Sequence, residues 1–422
     1  MPVKRYALYL WMMLCLSACN LAQTEPTPVP AMLITNAPHL VAAWAEGGNL
    51  YVWQTGEAFG RRVASGGVIQ PFIAPDGRHI AFTRGPAGAP DSLWLVSTDG
   101  TLEQQLVGEG TPTSYRESQM GQVVWSDATT LYFNTLKRAV PASSPKHDLY
   151  RASIITRTIS LLLGPGEGGR ISLSPKRDKI VLVSAGDYGI HNGRIRVIDA
   201  LSPETHADLL YFTGAATGSH SGFYPPIAWV EDESALLAAI PDQDLLYSED
   251  KGATVPPTTL WHLPIAAPGE RKSIGTLPVS FFGMPRWSDD GTQMLYLTRT
   301  AGDVFHLMRA DATGANPVEV DSGTVGEIEM PTWIPDTTQF FYTKGTAGHV
   351  LMAGRDNAPQ PLSETVMLSP RFVTADRIVS FAPRTADETG YELKTWFLGQ
   401  PAQTISPLSG PVVFDAVWVV PS

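Results

Sequence analysis

Apolar and polar residues alternate in short runs along most of this chain, and turns rich in Gly, Pro and Asp separate the runs. Period-two alternation puts successive side chains on opposite faces of a half-buried strand, so the pattern predicts an all-β protein. The clearest example is Phe72-Ile73-Ala74-Pro75-Asp76-Gly77-Arg78-His79-Ile80-Ala81-Phe82. Trp287-Ser288-Asp289-Asp290-Gly291-Thr292-Gln293-Met294-Leu295-Tyr296-Leu297 repeats its plan. Each copy has an aromatic residue, a tight turn with Asp-Gly, and an alternating apolar strand. Asp-Gly suits the turn because glycine tolerates positive φ and the carboxylate bonds nearby backbone N–H groups. A further strand follows in both copies, Ser92-Leu93-Trp94-Leu95-Val96 and Phe305-His306-Leu307-Met308, then another turn and a last strand.

Weaker copies open at Trp125, Leu173, Trp229, Trp333 and Phe372, and Phe414-Asp415-Ala416-Val417-Trp418 reads as one more opening strand. Residues 40–66 supply the opposite fragment, strands without an opener. The openings at 72, 125, 173, 229, 287, 333, 372 and 418 are spaced 39–58 residues apart, the length of a four-stranded blade. The expectation is a single β-propeller over 39–422 with eight four-stranded blades, closed by pairing the C-terminal strand with the N-terminal ones. Closure removes the exposed edges a linear stack would leave. Seven blades is the alternative, because the copies at Leu173 and Phe372 are degenerate.

The Ala74–Phe82 segment, followed by Ser92-Leu93-Trp94-Leu95-Val96-Ser97-Thr98-Asp99-Gly100, resembles the WD40-like (PD40) repeat of the TolB family. The same repeat builds the propellers of prolyl oligopeptidases and dipeptidyl peptidases. The likeness is close over 70–107, nearly so over 283–320, and one of pattern over the rest of 40–422. It implies a propeller and little about function, since the fold serves many.

The N-terminus has a different character. Lys4 and Arg5 precede an apolar stretch, Tyr6 to Leu16, that is too short for a membrane span of about 20 residues. The stretch ends in Leu16-Ser17-Ala18-Cys19, which resembles the bacterial lipobox. The resemblance implies a lipoprotein signal peptide over 1–18, cleavage after Ala18, and lipidation of Cys19 on its thiol and new amine. Residues 19–38, with Pro26, Pro28 and Pro30, form a Pro-rich tether. The expected location is therefore outside the cytoplasm, lipid-anchored to a bacterial membrane and facing the periplasm or the exterior.

Composition narrows the chemistry. The chain has 422 residues, a formal charge of −11, and no Lys/Arg stripe, which argues against nucleic acid as a partner. Cys15 and Cys19 are its only cysteines, so the propeller owes nothing to disulfides or thiolate metal sites. The nine histidines are scattered singly, with no metal-ligand spacing. Asp289-Asp290-Gly291 and Glu231-Asp232-Glu233 read as hairpin turns more readily than calcium loops. Gly218-Ser219-His220-Ser221-Gly222 puts His where a nucleophile elbow needs Ser. Gly164-Pro165-Gly166-Glu167-Gly168-Gly169 lacks the Lys-Ser/Thr of a phosphate loop. The reading is a non-enzyme without cofactor.

In a propeller the loops entering the innermost strands crowd the axis, so long aromatic ones are candidate binding loops. Two stand out. One holds Tyr115, Arg116 and Glu117; the other holds His220, Phe223 and Tyr224. Against them stands the reading that Phe223, Tyr224, Phe281 and Phe282 only plug the ring. The expected function is a monomeric envelope scaffold binding proteins, peptides or glycans. The alternative is a glycan-active hydrolase or lyase using channel acids such as Glu117, Glu327 and Glu329.

Overall fold

The computed structural model describes residues 37–421 except for 87–89, 109–117, 138–143, 187–191, 214–222, 242–256, 280–282, 301–303, 325, 346–349, 355–358, 363–365 and 385–389. The described residues belong to the second of the chain's two units, Asn36–Ser422. The signal segment 1–18, Cys19, and all of the 19–38 tether but Ala37 and Pro38 lie outside the described residues.

The second unit is an all-β propeller of eight antiparallel blades, seven four-stranded and one five-stranded. The first strands of blades 1 to 8 are Val68–Ile73, Ser118–Trp125, Arg170–Leu173, Ile227–Trp229, Arg286–Trp287, Ile328–Trp333, Leu368–Thr374 and Val413–Val419. First strands touch in six of the eight pairs of neighbouring blades and therefore flank the axis. Blade 8 closes the ring: Val413–Val419 pairs with His39–Glu46, from Ala45 opposite Val413 to His39 opposite Val419. The degenerate copies at Leu173 and Phe372 are full blades, so the count is eight and not seven.

No single core fills the ring. Buried apolar residues form eight clusters, and each sits between two adjacent blades. Phe82 and Val419 share the cluster between blades 8 and 1, while Trp44 and Leu393 share the one between 7 and 8. This explains why second strands such as Ala235–Pro241 (Ala-Leu-Leu-Ala-Ala-Ile-Pro) are apolar throughout rather than alternating: both of their faces meet a neighbouring blade. A fully buried Phe or Leu here stabilises by roughly 1.5–3 kcal/mol.

At two inner turns the preceding tryptophan also joins blades. Trp125 Nε1 donates to Phe72 O at 2.9 Å and Trp333 Nε1 to Arg286 O at 2.8 Å, each crossing to the preceding blade. In blade 1 that position belongs to Ile73, not Phe72: Ala74 N bonds His79 O as Ser288 N bonds Gln293 O. The first repeat is thus shifted by one from its sequence alignment, because its Ala-Pro-Asp-Gly turn begins one residue later. The insertion at 137–147 holds a fifth strand, Ser144–Pro145, paired with Lys137 and Leu136.

Chain direction gives the disc two faces. The chain enters each first strand at the upper face, where connections between second and third strands also lie. Turns between first and second strands, and between third and fourth, lie on the lower face. The acidic hairpins are such turns: Asp290 Oδ1 accepts from Thr292 N at 3.0 Å, and Asp232 Oδ1 from Ser234 N at 2.9 Å.

Candidate functional site on the upper face

Both predicted loops enter first strands at the upper face, one ahead of Ser118 and the other ahead of Ile227. Tyr115, Arg116, Glu117 and His220 lie outside the described residues, as do Phe281 and Phe282. Phe223 and Tyr224 are described, and they part company. Phe223 is buried, edge-on to Phe212 with centroids 6.2 Å apart, and bridges to Gly186. Its ring belongs to the core between blades 3 and 4. Tyr224 is half-buried, and its hydroxyl meets His147 Nε2 at 3.0 Å.

Three blades meet at Tyr224. His147 comes from the end of the insertion in blade 2, with a left-handed φ of 52°. Arg170, the first residue of the inner strand of blade 3, lays its guanidinium 4.0 Å from the centre of the Tyr224 ring. Arg170 is exposed, and among the described residues its guanidinium makes no hydrogen bond or ion pair beside this stacking. Lys146, beside His147, donates to the hydroxyl of Ser118, the residue that follows the other predicted loop. The roots of the two loops therefore converge on one cluster.

Asp148, next to His147 in the chain, is fully buried. Its Oδ1 accepts from Thr135 N at 2.7 Å and its Oδ2 from the Thr135 hydroxyl. Burial raises the pKa of its carboxyl above the ordinary aspartate range, partly offset by the two Thr135 hydrogen bonds. Gly168 and Gly169 let the next segment close over it: a Cβ on Gly168 would lie 2.5 Å from Asp148 O, and one on Gly169 would lie 2.6 Å from Val183 backbone. The glycine-rich stretch 164–169 is a packing device that delivers Arg170. Asn134 Nδ2 donates to Gly169 O at 2.8 Å, and Gln122 clamps Ile171 N and O, both at 2.7 Å. Arg170 thus stands on a fixed strand.

Chemically, a planar guanidinium held flat on an aromatic ring presents its edge donors to a carboxylate or phosphate, with the His147–Tyr224 pair alongside. A second inner-strand arginine, Arg286, donates to the Thr332 hydroxyl at 3.3 Å and has no carboxylate partner among the described residues. It is exposed, and desolvation by its surroundings lowers its pKa. The third, Arg371, is paired with Asp415. Of the acids weighed for hydrolysis, Glu327 accepts from Thr324 N at 2.6 Å, which holds its carboxyl below the usual glutamate range. That is the wrong direction for a general acid. Glu329 is exposed on the inner strand of blade 6.

No protein-family profile and no curated protein matches the chain. Solved structures match its fold. A eukaryotic initiation factor structure aligns with a TM-score of 0.53 at 11% identity, covering 91% of this chain and 98% of the other. Dipeptidyl peptidase 4 of Porphyromonas gingivalis aligns with a TM-score of 0.54 at 12% identity, over 81% of this chain and 53% of the peptidase. TolB of Acinetobacter baumannii is among the neighbours at 17% identity and a TM-score of 0.36, covering 69% of this chain and 65% of TolB. At these identities the similarity is one of fold: the chain is an eight-bladed, all-β propeller.

Proposed function

We propose that this protein is a lipid-anchored envelope scaffold that binds a protein, peptide or glycan partner, without catalysis, at the upper face of its propeller. The observation that carries the binding site is the stacking of Arg170 on Tyr224, with His147 bonded to the tyrosine hydroxyl. Tyr and Arg are the residues that most often dominate binding energy at interfaces. Here they project from three blades that the ring holds rigidly together. The available Arg170 donors favour a partner bearing carboxylate or phosphate groups. Anchoring rests on the Leu16–Cys19 motif, which would tether the disc at the membrane and leave the loops to their partner.

The test is affinity capture from envelope extracts with the intact chain and with Arg170→Ala, Tyr224→Ala and His147→Ala. Loss of the captured partner in all three supports the site, and unchanged capture by them refutes it. The alternative, a hydrolase or lyase acting on glycans, draws on Asp148, a carboxyl buried beside His147 whose burial pushes its pKa up. Cleavage of an anionic oligosaccharide that Asp148→Asn abolishes while the variant stays folded would replace the scaffold reading.

A further inference from the structure

The lower face carries its own pattern. Phe59, Leu102, Ile155 and Leu201 occupy the connection between third and fourth strands in four consecutive blades, 8, 1, 2 and 3. They are 68%, 70%, 71% and 85% exposed. The other exposed large hydrophobic residues among those described, Leu161, Tyr211, Val413 and Val420, belong to the same four blades. Blades 4 and 7 have Ile265 and Leu398 in the equivalent connection, and both fold back against an inter-blade core. In blades 2 and 3 the connection covers its first residue in the same way, Ile154 or Ala200, and leaves the next one, Ile155 or Leu201, in solvent. Leu102 even adopts a φ of 57°, a strained choice for a leucine. Single exposed apolar residues are ordinary, but one large apolar side chain left out of this connection in each of four neighbouring blades makes a rim.

The course of the chain indicates what meets this rim. His39 lies opposite Val419 at the lower face, so Ala37 and Pro38 leave the disc there. They leave blade 8 beside the connection that holds Phe59, where Thr55 N bonds Leu40 O at 3.0 Å. The residues that precede them include the apolar stretch from Tyr6 to Leu16 and Cys19. Exposed cations stand on the same face and blades: Arg62, Arg78, Arg157 and Lys176. Exposed carboxylates stand there too, Asp127, Asp178 and Glu204 among them, but several turn acids are engaged by backbone. Asp76, Asp99, Asp127 and Asp199 each accept a hydrogen bond from a backbone N–H of their own turn. Apolar tips with exposed arginines and a lysine among them fit the boundary between acyl chains and phosphate headgroups.

We propose that the lower rim of blades 8, 1, 2 and 3 rests on a lipid bilayer, with Phe59, Leu102, Ile155 and Leu201 inserted at its surface. The upper face, with Arg170 and Tyr224, then points away from the membrane. The proposal rests on the anchored reading above for attachment, and adds orientation and a second point of contact.

Cys15 and Cys19 are the chain's only cysteines, so single thiols can be placed on the ring. The full chain is reconstituted into phosphatidylethanolamine/phosphatidylglycerol vesicles that carry a nitroxide lipid. Phe59→Cys, Leu102→Cys, Ile155→Cys and Leu201→Cys are labelled with an environment-sensitive fluorophore, and Lys137→Cys reports from the upper face. The four rim labels should shift their emission to the blue and be quenched by the nitroxide, and the Lys137→Cys label should do neither. Rim labels that stay unquenched, or quenching equal to that at Lys137→Cys, overturn the proposal. So does a rim blue shift that grows with protein concentration without vesicles, which assigns the rim to a second copy of the chain. The unsubstituted chain is the blank: dye uptake by it reveals a free Cys15 or Cys19 thiol and counts against the lipid anchor, while the rim result is still read from quenching.

Discussion

Asp415 Oδ2 accepts a hydrogen bond from Ile73 N at 2.7 Å, joining residues 342 positions apart in the sequence. Its other oxygen pairs with the guanidinium of Arg371. Asp415 lies on the closing strand, Arg371 on the inner strand of blade 7 and Ile73 on that of blade 1. One carboxylate therefore fastens the ring on both sides of its seam. Asp415→Ala leaves the Ile73 N–H without its acceptor and Arg371 without its charge partner, at a cost of about 1–3 kcal/mol. Asp415→Asn keeps an acceptor and loses the charge, and should cost less. Denaturant unfolding of the two variants should rank them in that order. Equal stability of Asp415→Ala and the parent chain would show that the seam is held by strand pairing alone.

Gly77 tests the same seam from the other side. Its φ is +67°, and a Cβ there would lie 2.5 Å from Val419 Cγ2 and 3.1 Å from Val41 Cγ2. Gly77→Ala combines a left-handed backbone penalty of roughly 1–2 kcal/mol with overpacking against the closing strand. The expected result is a stability loss larger than the same substitution causes at Gly56, which also has positive φ but has nothing within 4 Å. Thermal unfolding of the two variants separates conformational strain from steric conflict.

The seam was legible in the sequence because its signals are local: a lone apolar run near Phe414, openerless strands from Leu40, and Asp-Gly turns that fix where each strand reverses. Blade count followed from spacing even where Leu173 and Phe372 replace the usual Trp, since the turn and the apolar second strand persist. The candidate site was legible only in part. Tyr224 stood out as an aromatic in a long loop, but its neighbour Phe223 carried the same signal and serves the core. His147 and Arg170 gave no sign. Neither has a motif, and the three residues meet only because blades 2, 3 and 4 are adjacent in the ring. Asp148 was equally silent, since a single Asp between His and Leu does not announce burial.

On the outer strands of blade 3, Arg196 grips Asp208 with two nitrogens, Nη2 to Oδ2 at 3.0 Å, and reaches Glu167 Oε2 at 2.9 Å. The Tyr211 hydroxyl adds a donor to Asp208 at 2.6 Å. Arg196 hydrogen bonding holds the Asp208 pKa down to about 2, against the pull of desolvation. A depressed folded-state pKa means that the stabilisation is fully present above the unfolded value of about 3.9 and lost as pH falls through about 2. Asp208→Asn should therefore be less stable than the parent near neutral pH, and the gap should narrow as the solution is acidified across that window. Stability curves for the two chains at several pH values check the sign. A gap that widens in acid would remove Asp208 as the group responsible.

Tyr224 has two separable roles, and substitutions can divide them. Tyr224→Phe keeps the ring under Arg170 but loses the hydroxyl that meets His147 at 3.0 Å. Tyr224→Ala loses both. Arg170→Lys keeps a cation but gives up the planar face that stacks and the paired donors that suit a carboxylate. An exposed cation–π contact contributes only about 0.5–1 kcal/mol, so none of these changes should lower stability by much more than that. Their effect on partner binding should be larger. The expected order of loss is Tyr224→Ala most, Arg170→Lys next and Tyr224→Phe least, if the guanidinium edge is the main point of recognition. Binding titrations paired with thermal unfolding decide it. Should Tyr224→Phe cost as much binding as Tyr224→Ala, the hydroxyl shared with His147 recognises the partner and Arg170 only supports it.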